Sequence, residues 1–353
     1  MTIERRDFSP VAACAPLLHD LDEFYDRLET VMKSYLNLVR PADAAAPVAN
    51  ITTLVEQAAA SIEKIISDSR HEEQWLYFRV SVPHGAEAHV IAREIGPLLN
   101  DLTEERAIQG WWWLRKHDVS GPALRVRVLV SAHRRPEVHE TMRRCLLASQ
   151  REFTILRYEP EIRLFGGAAG IKSAHDHFCA DSAFLAAWAR LDNVPSLPVI
   201  PAGLSLAFII RMLVASGLDL FERWDVFDRV YDKRKTTVRA GEDSSALQSR
   251  VDKIIASPLD NIFHLFDGER RRLIVEHAAF LDGFANRISS AYFEGRLECG
   301  LREFFVPTIL FHWNRIGMTA LGQFSISRAA CGTLARLTRK GSNEPVRQPS
   351  ARE

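Results

Sequence analysis

Residues 75–82 alternate in character. Leu76, Phe78, Val80 and Val82 fall on one side, and Trp75, Tyr77, Arg79 and Ser81 on the other. That period of two predicts a half-buried strand. The spacing turns helical over about 86–100 through Val90, Ile91, Ile95, Leu98 and Leu99. IQGWWWLRK (108–116) reads as a second strand, HDVSGP as a turn, and ALRVRVLV (123–130) as a third strand. In the third, Leu124, Val126, Val128 and Val130 share one face while Arg125 and Arg127 share the other. Pro136 suits a first helical turn, with Val138, Met142, Cys145 and Leu146 inward, and EFTILRY (152–158) closes the set as a strand. The order β-α-β-β-α-β predicts an α+β fold built on a ferredoxin-like antiparallel sheet with helices on one face. Its other face would carry Trp75, Tyr77, Arg79, Arg125 and Arg127 and, depending on register, Trp111, Trp113 and Arg115.

Helical spacing dominates on both flanks. Before the sheet, Leu21, Phe24, Leu28, Met32 and Leu36, then Leu54, Ala58, Ile62 and Ile65, predict a helical extension over 1–70, broken at Pro41 and Pro47. This segment holds 11 acidic against 7 basic residues, which marks it off from the sheet region. Beyond Gly166-Gly167, helices are expected at about 170–190, 203–222, 225–235, 245–256, 270–293 and 304–321, with NVPSLPVIPAG as the clearest break. The expected division is a helical extension (1–70), a sheet domain (71–167), a helical region completing a cleft (168–337) and a polar, disordered tail (338–353).

With 45 Lys+Arg against 45 Asp+Glu, the 353-residue chain has no net charge, which argues against a strongly basic nucleic-acid binder. Cys14, Cys145, Cys179, Cys299 and Cys331 lack paired spacing, so no disulfide framework or zinc site is expected. No signal peptide is evident, and no run approaches the roughly 18 apolar residues of a membrane span. A cytoplasmic protein is expected, with no membrane partner.

Three places stand out chemically. The first is the sheet face with several Arg beside Trp and Tyr, in a segment (115–163) with 11 basic against 6 acidic residues. It suits an anionic or carbonyl-rich ligand with planar groups to stack, although a solvated strand face reads the same way. The second is YEPEIRLFGG (158–167), where Tyr158, Glu161 and Arg163 precede two glycines; a local ion pair and a turn are the plain alternative. The third is LFHWNRIGM (310–318), placing His312, Asn314 and Arg315 in an otherwise apolar helix, where unpartnered burial is costly. His175 and His177 with Asp176 are a weak metal pattern, and no dinucleotide, phosphate-loop or serine-hydrolase motif is present.

Together, WLYFRV, WWWLRK…GPALRVRV, YEPEIRLFGG with AHDHFCADS, and HWNR, in that order from Trp75 to Gly317, resemble one family. It comprises the elimination domains of lantibiotic dehydratases and the stand-alone thiopeptide-type bacteriocin biosynthesis proteins. The resemblance implies an enzyme acting on a ribosomally made precursor peptide with a leader. Elimination domains expel glutamate from glutamylated Ser or Thr. The pyridine synthases join two dehydroalanines of a thiazole-bearing core by a formal aza-[4+2] cycloaddition, then lose water and the leader as a carboxamide. Ala123 stands where the elimination hairpin carries His, His175 where the following helix carries Glu, and the compact FHWNR is associated with pyridine synthases. These departures, with the free-standing length, favour the macrocyclase.

On that resemblance His312, Tyr292 and Ser290 are the expected proton donors and acceptors. Arg115, Arg125, Arg127, Tyr158, Glu161, Arg163, Asn314, Arg315, Trp111 and Trp113 are the expected substrate contacts. No cofactor or metal is expected; the partners would be the precursor peptide and other biosynthetic enzymes. A glutamate-eliminating lyase and a non-catalytic peptide- or RNA-binding module are the competing expectations.

Overall fold

The computed structural model describes residues 75–342 apart from 120, 194, 236–244 and 258. The expected N-terminal helices, and the tail beyond 342, are outside the described residues.

The fold is α+β and mostly helical, with one four-stranded antiparallel sheet: β1 (Trp75–Ser81), β2 (Gly110–Asp118), β3 (Gly121–Leu129) and β4 (Phe153–Leu156), in the order β2-β3-β1-β4. The helix α1 joins β1 to β2 and consists of an α turn (Glu87–Val90), a π turn (Ile91–Ile95) and an α segment (Gly96–Glu104). The helix α2 (Arg135–Ala148) joins β3 to β4. Pairing of Tyr77 with Arg127 and of Trp112 with Arg127 fixes the register. Leu76, Phe78 and Val80 thereby meet Val128, Val126 and Leu124, and pack under Val90, Ile95 and Leu99 of α1 and Val138 and Met142 of α2.

That register settles where the tryptophans go. Trp111 and Trp113 pair with Val128 and Val126 and are buried on the side of α1 and α2; Trp112 stands on the face with Tyr77 and Arg127. Trp111 and Trp113, expected as substrate contacts, are therefore core residues. The second face is not open either. The helix α3 (Gly167–Arg190) covers it, burying Trp75, Tyr77 and Trp112 against Tyr158, Ala174 and Phe178.

The remaining helices are α4 (Ala202–Ala215), α5 (Leu220–Lys235), α6 (Ser245–Ala256), α7 (Leu259–Phe263), α8 (Gly268–Phe293), α9 (Leu301–Ile316) and α10 (Ala320–Ser342). Two boundaries differ from the spacing. The stretch 203–222 is divided because Gly217 takes φ +81°, a left-handed stop. Asp219 and Glu222 then cap each other's backbone N–H to open α5. Gly317 (φ +82°) likewise ends α9, and α10 follows where the sequence predicts a helix ending near 321 and a tail from 338.

The sheet edge at β2 is closed by side chains instead of another strand. Trp113 N–H donates to Ser182 Oγ of α3 at 3.3 Å. Arg115 N–H donates to Asn314 Oδ1 (2.7 Å), and Asn314 Nδ2 donates to the Arg115 carbonyl (3.0 Å). An unpaired edge invites foreign strands, and these contacts remove that opening. Asn314→Leu should leave both Arg115 backbone groups without partners and lower the unfolding free energy by about 2 kcal/mol in urea titrations. Tyr292→Phe, at an exposed helix end, should stay within about 0.5 kcal/mol.

Candidate functional site

The motif FHWNR owes its position to a buried carboxylate. The stretch FCADSAFLAAW of α3 is apolar except at Asp181 and Ser182, and both have no solvent exposure. Asp181 accepts from His312 Nδ1 (2.9 and 3.0 Å to its two oxygens) and from Arg315 Nε (2.6 Å), with His277 Nε2 at 3.6 Å. An ionised carboxylate only accepts, so Nδ1 of His312 carries the proton and Nε2 faces Ser205 Oγ at 2.8 Å. Trp313 Nε1–H donates to the same oxygen at 3.1 Å. Burial alone would raise the Asp181 carboxyl, but His312 and Arg315 outweigh it and hold it well below the usual carboxylate range. Desolvation pulls His277 down to about 4 and pushes His177 well below its ordinary value, so both are neutral imidazoles. They stack on rings, His277 on Phe184 at 4.3 Å and His177 on Phe284 at 4.8 Å.

On the covered sheet face, Arg127 stands in an aromatic box. Its guanidinium carbon is 4.1 Å from the Trp112 ring, 4.5 Å from Tyr77 and 5.2 Å from Tyr158. Nη1 donates to the Arg125 carbonyl at 3.1 Å, and burial lowers the Arg127 pKa to about 10. The Tyr158 hydroxyl is 2.7 Å from His175 Nε2, and burial raises the phenol's pKa. Glu161 is close enough for its charge to act on Arg127 and Tyr158, yet Glu161 and Arg163 are exposed. The turn after them needs its glycines: Gly166 and Gly167 have φ +72° and +89°, and a Cβ on Gly167 would collide with Glu298.

The accessible space is elsewhere. A cleft of about 940 Å³ opens between the C-terminal half of β2, the 195–198 loop, the end of α9 and the start of α10. Arg115, Lys116, His117 and His84 form one wall; Leu197, Asn314, Met318 and Gln323 form much of the rest. Arg115 Nη2 is 2.9 Å from Glu87 Oε1 of α1, whose side chain is buried. Burial would raise the Glu87 carboxyl, but its own backbone N–H and Arg115 leave it below the ordinary value.

The predicted residues thus separate into groups. Arg115 and Asn314 line the cleft; Arg125, Arg127, Tyr158 and Glu161 gather on the sheet face under α3; and His312 and Arg315 are locked on Asp181. Ser290 and Tyr292 are exposed on the last turns of α8, and among the described residues no hydrogen bond joins either side chain to His312. Sequence reasoning missed Asp181, Ser205, His277, Glu87, His84 and His117. An Asp inside an apolar helical run was a readable signal for the first. His84 and His117 stand in ordinary turn and strand positions and gave none. Among the described residues no group of three His, Cys, Asp or Glu is arranged to hold a metal, and no helix is long and apolar enough to cross a membrane.

The family model for the lantibiotic biosynthesis dehydratase C-terminal region matches residues 75–333. No curated protein matches. The solved structure of the tRNA-dependent lantibiotic dehydratase MibB from Microbispora sp. 107891 aligns with TM-score 0.56 and 19% identity over 76% of this chain, a likeness of fold. The chain spans only 28% of MibB. The pyridine synthase TbtD from thiomuracin biosynthesis gives TM-score 0.49 and 14% identity, covering 76% of this chain and 99% of that one. TsrL gives 0.47 and 15%, covering 75% and 95%.

Two outcomes follow from the buried cluster. Asp181→Asn removes the counter-charge of a buried Arg315 and should cost about 3–5 kcal/mol in chemical denaturation. His177 and His277 have folded pKa values below the unfolded 6.5, so the unfolded chain binds more protons as the pH falls from about 6.5 towards 4. Stability should be complete above pH 7 and fall by pH 5, on the order of 2 kcal/mol from His277; His277→Gln should flatten that slope.

Proposed function

Because the chain belongs to the lantibiotic biosynthesis dehydratase C-terminal family, we propose that it is a peptide-modifying enzyme of the pyridine synthase type. It joins two dehydroalanines of a leader-bearing, thiazole-containing peptide by formal aza-[4+2] cycloaddition, then releases water and the leader as a carboxamide. The sheet, in the order β2-β3-β1-β4, is its ferredoxin-like layer, and the helices from α3 onward complete the cleft.

The observation that carries this reading is the cleft. At about 940 Å³ it is the size of a multi-residue ligand, and two of its walls are Arg115 and Asn314 from the recognised motifs. Bringing two distant dehydroalanines together is mainly a proximity task, worth several kcal/mol when both are held, on the order of the effective-molarity gains of oriented reactants. Arg115 and Lys116 supply donors for peptide carbonyls, and Leu197 and Met318 supply apolar surface for thiazole rings. The position associated with an elimination glutamate is His175, a hydrogen-bonded member of an aromatic cluster with Trp75 at 4.8 Å. His312 serves as a positioning residue: at 5% exposure, with Nδ1 on Asp181 and Nε2 on Ser205, it orients α9 and hence Asn314. The reaction is redox-neutral.

One observation favours a second reading, glutamate elimination: Arg125, Arg127, Arg163 and His312 are all retained. Mass spectrometry decides. Incubated without added cofactor, a leader-bearing bis-dehydroalanine thiazole peptide should yield a leader carboxamide and a macrocycle lighter by one water. An untouched peptide, together with loss of glutamate from a glutamylated precursor, would establish the lyase instead.

A further inference from the structure

With His312 sealed, an acid–base group for chemistry in the cleft has to come from its surface. Two imidazoles stand there. His117 belongs to the end of β2 and His84 to the turn after β1; both are exposed and both line the cleft. His117 Nε2 faces His84 Nδ1 at 3.4 Å, with the rings 5.5 Å apart and inclined at 67°. Behind them Glu87 Oε1 lies 3.9 Å from His117 Nε2 and bridges to Arg115 at 2.9 Å. Among the described residues Glu87 Oε2 and Arg115 Nε are buried without a hydrogen-bond partner, so this wall has unused polar capacity.

We propose that His84 and His117 are the acid–base dyad of the cleft, holding one proton between them and exchanging it with the bound peptide. The inference rests on the macrocyclase reading for its substrate. Two facing imidazole nitrogens need one donor and one acceptor, so one ring carries its proton inward while the other does not. Among the described residues the charged groups around the pair are Glu87 from α1 and Arg115 and Lys116 from β2. The other elements of the cleft present uncharged groups, among them Ser196, Asn314 and Gln323, with Arg234 of α5 behind Gln323 at 2.6 Å.

The chemistry requires paired proton transfers. Loss of water from the cycloadduct breaks a C–O bond, protonates the departing hydroxyl and removes one proton from a ring carbon. Departure of the leader breaks a C–N bond, protonates the amide nitrogen and removes a second ring-carbon proton, completing the aromatic ring. Each elimination moves one proton on and one off. A dyad sharing one proton performs both halves and returns to its starting state, with no external acid or base consumed.

The test uses the full chain with His117→Gln and His84→Gln. Both residues are exposed, so melting temperatures should stay near wild type. With the bis-dehydroalanine peptide, His117→Gln should lower kcat by about 100-fold, in the range of a lost general acid–base group, and His84→Gln by less. KM and leader-peptide affinity should change less than about twofold, and the pH dependence of kcat should flatten. Wild-type kcat and pH profile in both variants would overturn the dyad while leaving the macrocyclase standing. If wild type ignores that peptide, the macrocyclase reading fails, and the same variants are assayed on glutamylated peptide. Undiminished glutamate release there overturns the dyad as well. Independently of turnover, the His117 C2–H resonance should shift when leader-bearing peptide is added; an unmoved resonance overturns the site.

Discussion

Asp181 is the constraint on which the rest of this structure depends. A carboxylate with no solvent exposure is expensive to bury unless its charge is matched, and His312 and Arg315 do the matching. Because Asp181 is on α3 and its partners are on α9, satisfying that one charge fixes two helices against each other. The same stretch of α3 offers Ser182 to the backbone of β2, while Asn314, between the two Asp181 partners on α9, takes the next position along that edge. One local sequence on each helix therefore sets both the helix pairing and the docking of the sheet.

The functional consequence is a division of labour. The late motif reads as a row of polar residues available to a ligand; three of its four members, His312, Trp313 and Arg315, instead face the protein interior. Asn314 is spent on the strand edge but still borders the cleft. Accessible chemistry falls to the wall built by Arg115, Lys116, His117 and His84, which the buried lattice holds in place. The Arg127 box is a second rigid feature: a guanidinium enclosed by Tyr77, Trp112 and Tyr158 stabilises the sheet–α3 contact and has little freedom to rearrange.

Much of this was legible in the sequence. Alternation along Trp75–Val82 and Leu124–Val130 located β1 and β3 and the arginine face, because pleat geometry alone decides which side chains travel together. Three consecutive tryptophans defeated the same logic at β2, since an all-apolar run has no period, and only the pairing register decides that Trp112 takes the arginine face and Trp111 and Trp113 the other. The covering of the arginine face by α3 was not readable, because it depends on long-range packing of a helix beginning at Gly167. The helix ends at Gly217 and Gly317 and the Asp219–Glu222 cap were not read, because the apolar spacing runs on through both glycines. The His84–His117 pair was invisible because 33 residues separate two positions that β2 and the turn after β1 bring to one wall.

The central claim is that the peptide is handled in the cleft beside β2 and not on the arginine face beneath α3. Photo-cross-linking tests it most directly: a leader-bearing substrate analogue with a photoreactive group in its core, irradiated with the protein and mapped by peptide mass spectrometry. The account predicts cross-links to the 195–198 loop and to Met318–Gln323, lost in competition with unlabelled peptide. Cross-links confined to Tyr158–Arg163 and the neighbouring β4 would contradict it.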